Sequence, residues 1–281
     1  MSRTRNRWTM GPDLFVTDEG SGPPVLAIHG QPGLAGDWDP VAAQLVDDHR
    51  VLAADRRGYG RTGGRALSMA ANAELLADLL VQRGAAPATV VGHSYGGGIA
   101  ILMADRRPEV VSGLVLVGSV GRADSINVVD HVLALPVAGE ALTVAGLLTF
   151  GRVLPRLRGL VSHVPGRGMA WLETSLPDRT FVELASRQGR QIWRSFVFEQ
   201  RALMGEIGAV EAALPEIRVP TVVISGTWDV VVPVSVAASV AAAVPGSELV
   251  TVARTGHFVP RDAPGVVVRA VRTVEARPRP G

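Results

Sequence analysis

The 281-residue chain contains no cysteine, which excludes a disulfide framework, a thiol nucleophile and a thiolate metal site. It contains no lysine either, so all 28 basic residues are arginine. Schiff-base chemistry and the lysine of a phosphate-binding P-loop are therefore excluded, and with them PLP enzymes and P-loop ATPases. An excess of one charge is also missing: 28 arginines against 26 acids leave a net charge of +2, too little for a nucleic-acid binder. The longest apolar stretch, Leu133 to Phe150, is interrupted by Pro136, Gly139, Glu140 and Gly146. It falls short of the ~20 residues a membrane span needs and reads as a buried or lid helix. Met1 to Met10 carries Arg3, Arg5 and Arg7 with no apolar segment behind them. The expectation is a cytoplasmic protein with no secretory signal and no membrane partner.

What is present is core-forming material, with 47% hydrophobic and 19% charged residues, a globular composition. Short β-branched runs alternate with Ala/Leu-rich helical patterns, which predicts crossover units and a mostly parallel sheet, an α/β fold. The runs Pro24–Ile28, Arg50–Ala54, Ala88–Gly92, Leu114–Val117, Thr221–Ile224 and Glu248–Val252 read as strands covered on both faces. Met69–Leu80, Gly97–Arg106, Val234–Ala243 and Ala263–Val274 read as helices. From Arg122 to Pro215 the strand rhythm is lost, and it resumes at Val219. The expected organisation is one core domain, residues 1–121 and 216–281, with a helical cap inserted at 122–215.

Gly92-His93-Ser94-Tyr95-Gly96 follows one of these strands and precedes a helix, the context of a nucleophile elbow. At so sharp a turn side chains two positions either side of the serine would collide, hence glycine at 92 and 96. A serine hydroxyl needs a base to take its proton and a carboxylate to hold that base. His257 sits in the loop after the last strand, where its ring can reach over the strand ends. Asp229 lies just past the strand Thr221–Ile224. The other histidines read as structural: His93 pointing away beside the nucleophile, His29 in the loop after the first apolar strand, His49 at a strand edge, His131 and His163 in the cap. The order Ser94, Asp229, His257 is the hydrolase order. In His29-Gly30-Gln31-Pro32-Gly33 the backbone N–H of Gln31, paired with that of Tyr95, can donate to a tetrahedral oxyanion.

On these motifs the chain resembles the α/β-hydrolase fold family over essentially its whole length. Asp55-Arg56-Arg57-Gly58-Tyr59-Gly60-Arg61-Thr62 is similar to that family's Asp-x-x-Gly-x-Gly-x-Ser segment, and Ile217–Gly226 and Gly256-His257-Phe258 continue the match. The resemblance implies a cap over the active site, no cofactor and no metal, and a structural rather than catalytic role for Asp55, Arg56 and Arg57. Dehalogenases and epoxide hydrolases of similar layout use an aspartate where Ser94 stands. Epoxide hydrolases also use cap tyrosines, and the two tyrosines here, Tyr59 and Tyr95, lie outside the cap. Proline iminopeptidases usually carry Gly-Gly-Ser-Trp-Gly at the elbow.

The resemblance therefore points to the serine-nucleophile branch, esterase-like or similar to cofactor-free haloperoxidases. The leading expectation is hydrolysis of an ester, thioester or lactone of a small hydrophobic substrate. A carbon–carbon hydrolase of the meta-cleavage type and a perhydrolase or haloperoxidase use the same parts. A ligand receptor or a non-hydrolytic tailoring enzyme on the same fold is the alternative of another class. Trp38, Trp228, Trp193 and Phe258 are candidate pocket residues, and Gln31 a candidate to place its amide there. The apolar cap segments Leu142–Phe150 and Ile192-Trp193 with Phe196 and Phe198 fit cap core better than pocket lining. The run Arg152, Arg156, Arg158 and Arg167 fits a solvated face.

Overall fold

The computed structural model describes residues 9–10, 14–152 and 189–278. In chain order its strands are β1 (Thr9–Met10), β2 (Phe15–Gly20), β3 (Pro24–Ile28), β4 (Arg50–Ala54), β5 (Ala88–His93), β6 (Val111–Val117), β7 (Thr221–Gly226) and β8 (Glu248–Val252). They form one sheet in the order β1-β2-β4-β3-β5-β6-β7-β8. β1 and β2 are antiparallel and the rest of the sheet is parallel. The helices are α1 (Asp39–Leu45), α2 (Met69–Gln82), α3 (Tyr95–Arg106), α4 (Val128–Ala134), α5 (Ala138–Arg152), α6 (Gly189–Ala213), α7 (Val234–Ala243), α8 (Val259–Asp262) and α9 (Pro264–Glu275).

Alternation along each strand divides the core into two layers. Leu26, Ile28, Leu52, Leu114, Leu116 and Val223 face α2, α3 and α7. Val25, Ala27, Val51, Val115, Val117 and Val222 face α1 and α9. α9 closes its side with Val267, Val268, Val271 and Val274, each worth about 1.5–3 kcal/mol on burial. The parallel register sets Ile28 opposite Gly92, His93 opposite Val117, and Val117 opposite Ile224. The carboxyl ends of β3, β5, β6 and β7 thus form one level edge, and the chemistry-bearing loops leave from it.

Several expectations need correction. β8 is an edge strand with a largely exposed pattern, not a strand covered on both faces. β2 reads Phe-Val-Thr-Asp-Glu-Gly and escapes a search for apolar runs; it is held by antiparallel pairing to β4 and by Asp18, which accepts from Arg50 at 2.8 Å. α3 starts at Tyr95, directly after the serine, rather than at Gly97. The stretch Leu133–Phe150 is two helices, and α4 buries none of its residues. Among the described residues no single helix is long and apolar enough to cross a membrane; α4 and the start of α5 pass that test only as a pair bent by 109°.

The inserted segment also joins the core. Leu203, Ile207, Val210 and Ala213 of α6 are buried in the layer that contains α3. One helix, Gly189–Ala213, therefore runs within the segment read as cap and ends packed in the core. Residues 1–8, His163, Arg156, Arg158 and Arg167 lie outside the described residues, as does the side chain of Arg152.

Candidate active site

Ser94 sits at the junction of β5 and α3 with φ 54° and ψ −122°, a conformation that non-glycine residues adopt only when the surroundings enforce it. Its N–H donates to Val117 O at 3.0 Å, and its carbonyl accepts from Gly97 N at 2.9 Å. A Cβ on Gly92 would stand 2.5 Å from Gly96 O, and one on Gly96 would strike the carbonyls of Ile28 and His29. Glycine at both positions lets α3 and the β3 loop close on the serine. Tyr95 and Gly96 are the first residues of α3, where backbone N–H groups have no carbonyl one turn back, so the helix end favours negative charge beside Ser94.

Asp229 follows β7 in a tight turn. Its Oδ1 accepts from Val231 N at 2.9 Å and Val232 N at 2.8 Å, while its Oδ2 lies 2.8 Å from His257 Nδ1. The carboxylate is fully buried and can only accept, so Nδ1 carries the hydrogen and the lone pair of the neutral ring is on Nε2. Gly118, at the end of β6 with φ 49°, leaves the space for this pair. A Cβ there would stand 3.1 Å from Asp229 Oδ2 and 3.2 Å from His257 Nδ1.

His93 does not point away from the site. As the last residue of β5 it turns over the strand ends, donates from Nε2 to His257 O at 2.9 Å and lies tilted against the His257 ring with centroids 4.7 Å apart. Burial, followed by the neighbouring His257, pushes its pKa down to about 3, so it remains a neutral spacer. Phe258 packs edge-on against His257 with centroids 5.4 Å apart and carries the Arg261 guanidinium on its face.

The remaining expected pocket residues part company. Trp38 is a correction: it is 1% exposed and belongs to the core layer with Val25, Val41 and Leu45, because the turn before α1 folds its ring inward. Trp228 is half-buried, with its backbone N–H on Thr255 O. Trp193 is half-buried beside the Arg194 guanidinium. The Gln31 amide is not free for a ligand, since its Nε2 donates to Phe196 O at 2.7 Å. Of the apolar cap residues, Ile192 is buried and Phe198 is exposed.

The loop after β3 lies against the serine. A Cβ on Gly30 would stand 3.1 Å from Ser94 Cβ, and the Gln31–Pro32 bond is cis. Asp55 braces the neighbouring loops, accepting from Ala35 N at 2.7 Å and Arg61 N at 2.8 Å. Among the described residues no three His, Asp or Glu side chains converge as a metal site. The sequence reading gives Arg56 a structural role but no partner; behind the β3 loop it pairs with buried Glu199. A signal existed: Glu199 falls on the apolar face of a helix, in step with Ile192 and Leu203, where a carboxylate needs a partner.

Residues 25–270 match the profile described as "Alpha/beta hydrolase family". An uncharacterized protein of Mycobacterium tuberculosis is 32% identical over 276 residues, covering 91% of this chain and 77% of that protein. A 2-hydroxymuconate semialdehyde hydrolase of Pseudomonas putida is 28% identical over 258 residues, covering 86% of this chain and 83% of that one. Among solved structures, an alpha/beta hydrolase fold protein from Burkholderia ambifaria superposes with a TM-score of 0.70 at 20% identity, covering 96% of this chain and 97% of that one.

Proposed function

The chain belongs to the alpha/beta hydrolase family, and from that premise we propose that it is a serine hydrolase that cleaves a carboxylic ester, thioester or lactone through an acyl-enzyme on Ser94. The observation that carries the reading is the 2.8 Å hydrogen bond between buried Asp229 and His257, on the sheet edge where Ser94 is held in its strained turn.

The chemistry follows from the proton positions. With hydrogen on Nδ1, His257 can take the Ser94 proton at Nε2 as Oγ attacks the carbonyl carbon. The developing oxyanion is met by the backbone N–H groups of Gln31 and Tyr95 at the amino end of α3. The intermediate collapses as His257 gives its proton to the departing alcohol or thiol; water then attacks the acyl carbon, His257 takes the water proton, and the second intermediate collapses as that proton returns to Ser94 Oγ and the acid is released. The imidazolium is stabilised by Asp229. On this reading α4 and α5, ahead of the part of α6 that joins the core, belong to the lid, and the half-buried Phe258 beside His257 favours a small hydrophobic substrate.

A second reading, carbon–carbon bond hydrolysis of the meta-cleavage type, uses the same three residues. It is favoured by the Pseudomonas putida relative, a 2-hydroxymuconate semialdehyde hydrolase matched over 86% of this chain. A screen of p-nitrophenyl esters of graded acyl length, with lactones and a dienone, separates the two. Ester or lactone turnover that disappears in Ser94→Ala supports the first reading. Turnover of the dienone alone supports the second, and hydrolysis retained in Ser94→Ala overturns both.

A further inference from the structure

Glu199 is 0% exposed on the inner face of α6. Its carboxylate is met by Arg56, through Nη1 on Oε1 and Nη2 on Oε2, and by the Tyr59 hydroxyl, which donates to Oε2 at 2.7 Å. Arg56 also reaches the loop after β3. Nη2 donates to Gly30 O at 2.8 Å, and Nε donates to His29 O at 3.2 Å. His29 Nε2 accepts from Arg56 N at 2.9 Å, which puts the ring hydrogen on Nδ1, and Nδ1 lies 2.9 Å from the same Gly30 O. Two donors therefore hold one carbonyl.

That carbonyl is the other end of the Gln31 N–H. Gly30 C=O and Gln31 N–H belong to one planar trans amide, so fixing the oxygen fixes the direction of the N–H, and donors on the oxygen polarise it. The same helix grips the loops at two more points. Ser195 Oγ donates to Gly58 O at 2.8 Å, and Phe196 O accepts from the Gln31 side chain. Just past Glu199, Gln200 donates to Asp130 Oδ1 at 2.8 Å and Arg201 to Ala134 O at 3.1 Å, both in α4. The loop beside Ser94 and helix α4 are thus tied to two successive turns of α6, Ser195 to Arg201.

We propose that Glu199 is a positioning residue for the oxyanion hole: acting through Arg56, it holds the Gly30 carbonyl so that the Gln31 N–H is aimed at the oxyanion formed on Ser94. The inference rests on the serine-hydrolase reading above. Misaiming one donor by about 1 Å lowers turnover by about a hundredfold while leaving ground-state binding nearly intact.

The test uses the full chain with a p-nitrophenyl ester, a fluorophosphonate label and a boronic acid as tetrahedral mimic. Glu199→Gln is expected to lose about a hundredfold in kcat and a comparable factor in boronic-acid affinity, with KM within about threefold. Because that variant leaves Arg56 buried without its partner, the double variant Arg56→Met/Glu199→Met removes both charges together and is expected to fold and show the same losses. Glu206→Gln is the control on the same helix. Glu206 accepts from Met69 N at 2.7 Å at the start of α2, so its loss is expected to lower Tm without moving kcat or boronic-acid affinity. A folded double variant with unchanged kcat and boronic-acid affinity overturns the inference alone. A wild-type protein that neither hydrolyses the ester nor takes the label overturns the serine reading, and the inference with it.

Discussion

Asp229 divides its two carboxylate oxygens between two tasks: Oδ1 closes its own turn on the N–H groups of Val231 and Val232, and Oδ2 holds His257 Nδ1 at 2.8 Å. A turn aspartate and a histidine-orienting aspartate are therefore one residue here. The turn hydrogen bonds hold the carboxylate independently of the histidine, so the ring is oriented by a group that is itself fixed.

This division predicts the behaviour of Asp229→Asn. The amide oxygen can still accept from Val231 and Val232, so the turn survives. The amide nitrogen then faces His257 Nδ1 and donates to it, moving the ring hydrogen to Nε2, where it cannot accept the Ser94 proton. The expected result is a fall of about 10⁴ in kcat with Tm within a few degrees of wild type. Steady-state kinetics with a thermal melt check it, and a tenfold loss or less would contradict the orientation argument.

The parts of this architecture legible in the sequence are those that local patterning dictates. β3, β5 and β6 are buried on both faces, so their apolar runs are continuous, and the elbow is constrained within five residues by sterics. β2 was not legible, because an antiparallel strand near the sheet edge can carry Asp18 and Glu19 and still pair. The expectation of Trp38 in the pocket fails because position in a loop does not say which way a side chain turns. Arg56 and Glu199 meet across 143 residues, and no local pattern encodes that meeting; only the misplaced charge on the apolar face of α6 announces it.

Gly118 carries a second expectation. Its φ of 49° disfavours a side chain, and the added carbon of Gly118→Ala would press at 3.1 Å on Asp229 Oδ2 and 3.2 Å on His257 Nδ1. The conformational cost is about 1–2 kcal/mol, and displacement of the pair lowers kcat by roughly 10- to 100-fold. Activity assays and a crystal structure of the variant check both effects, and full activity would show that the Asp229–His257 pair tolerates displacement.

For Trp38 the expectation runs against the sequence reading. Its indole nitrogen is buried with no hydrogen-bond partner, so Trp38→Phe relieves a desolvated N–H while losing some ring volume. The two effects oppose one another, each about 1–3 kcal/mol. Stability is expected to change by less than about 2 kcal/mol, and kcat/KM by less than twofold for any substrate. A change in acyl-length preference in this variant would return Trp38 to the pocket.

The last expectation concerns acid. His93 is held at a pKa of about 3, first by burial and then by the adjacent His257 ring, against 6.5 for an ordinary histidine. Between those values the unfolded chain binds a proton at this position that the native state refuses, so stability is intact above about pH 6.5 and falls as the pH drops toward 3. The full window corresponds to about 4–5 kcal/mol for this residue. His29 is also held well below the usual range, by burial and then by Arg56, so removing one histidine removes only part of the acid sensitivity. His93→Gln keeps a donor for His257 O and does not titrate. Urea unfolding at pH 7, 5.5 and 4.5 is therefore expected to show a shallower decline for the variant, with the difference absent at pH 7 after correction for its baseline stability. Equal slopes in the two proteins would mean that His93 opens to solvent and takes up its proton before the fold gives way.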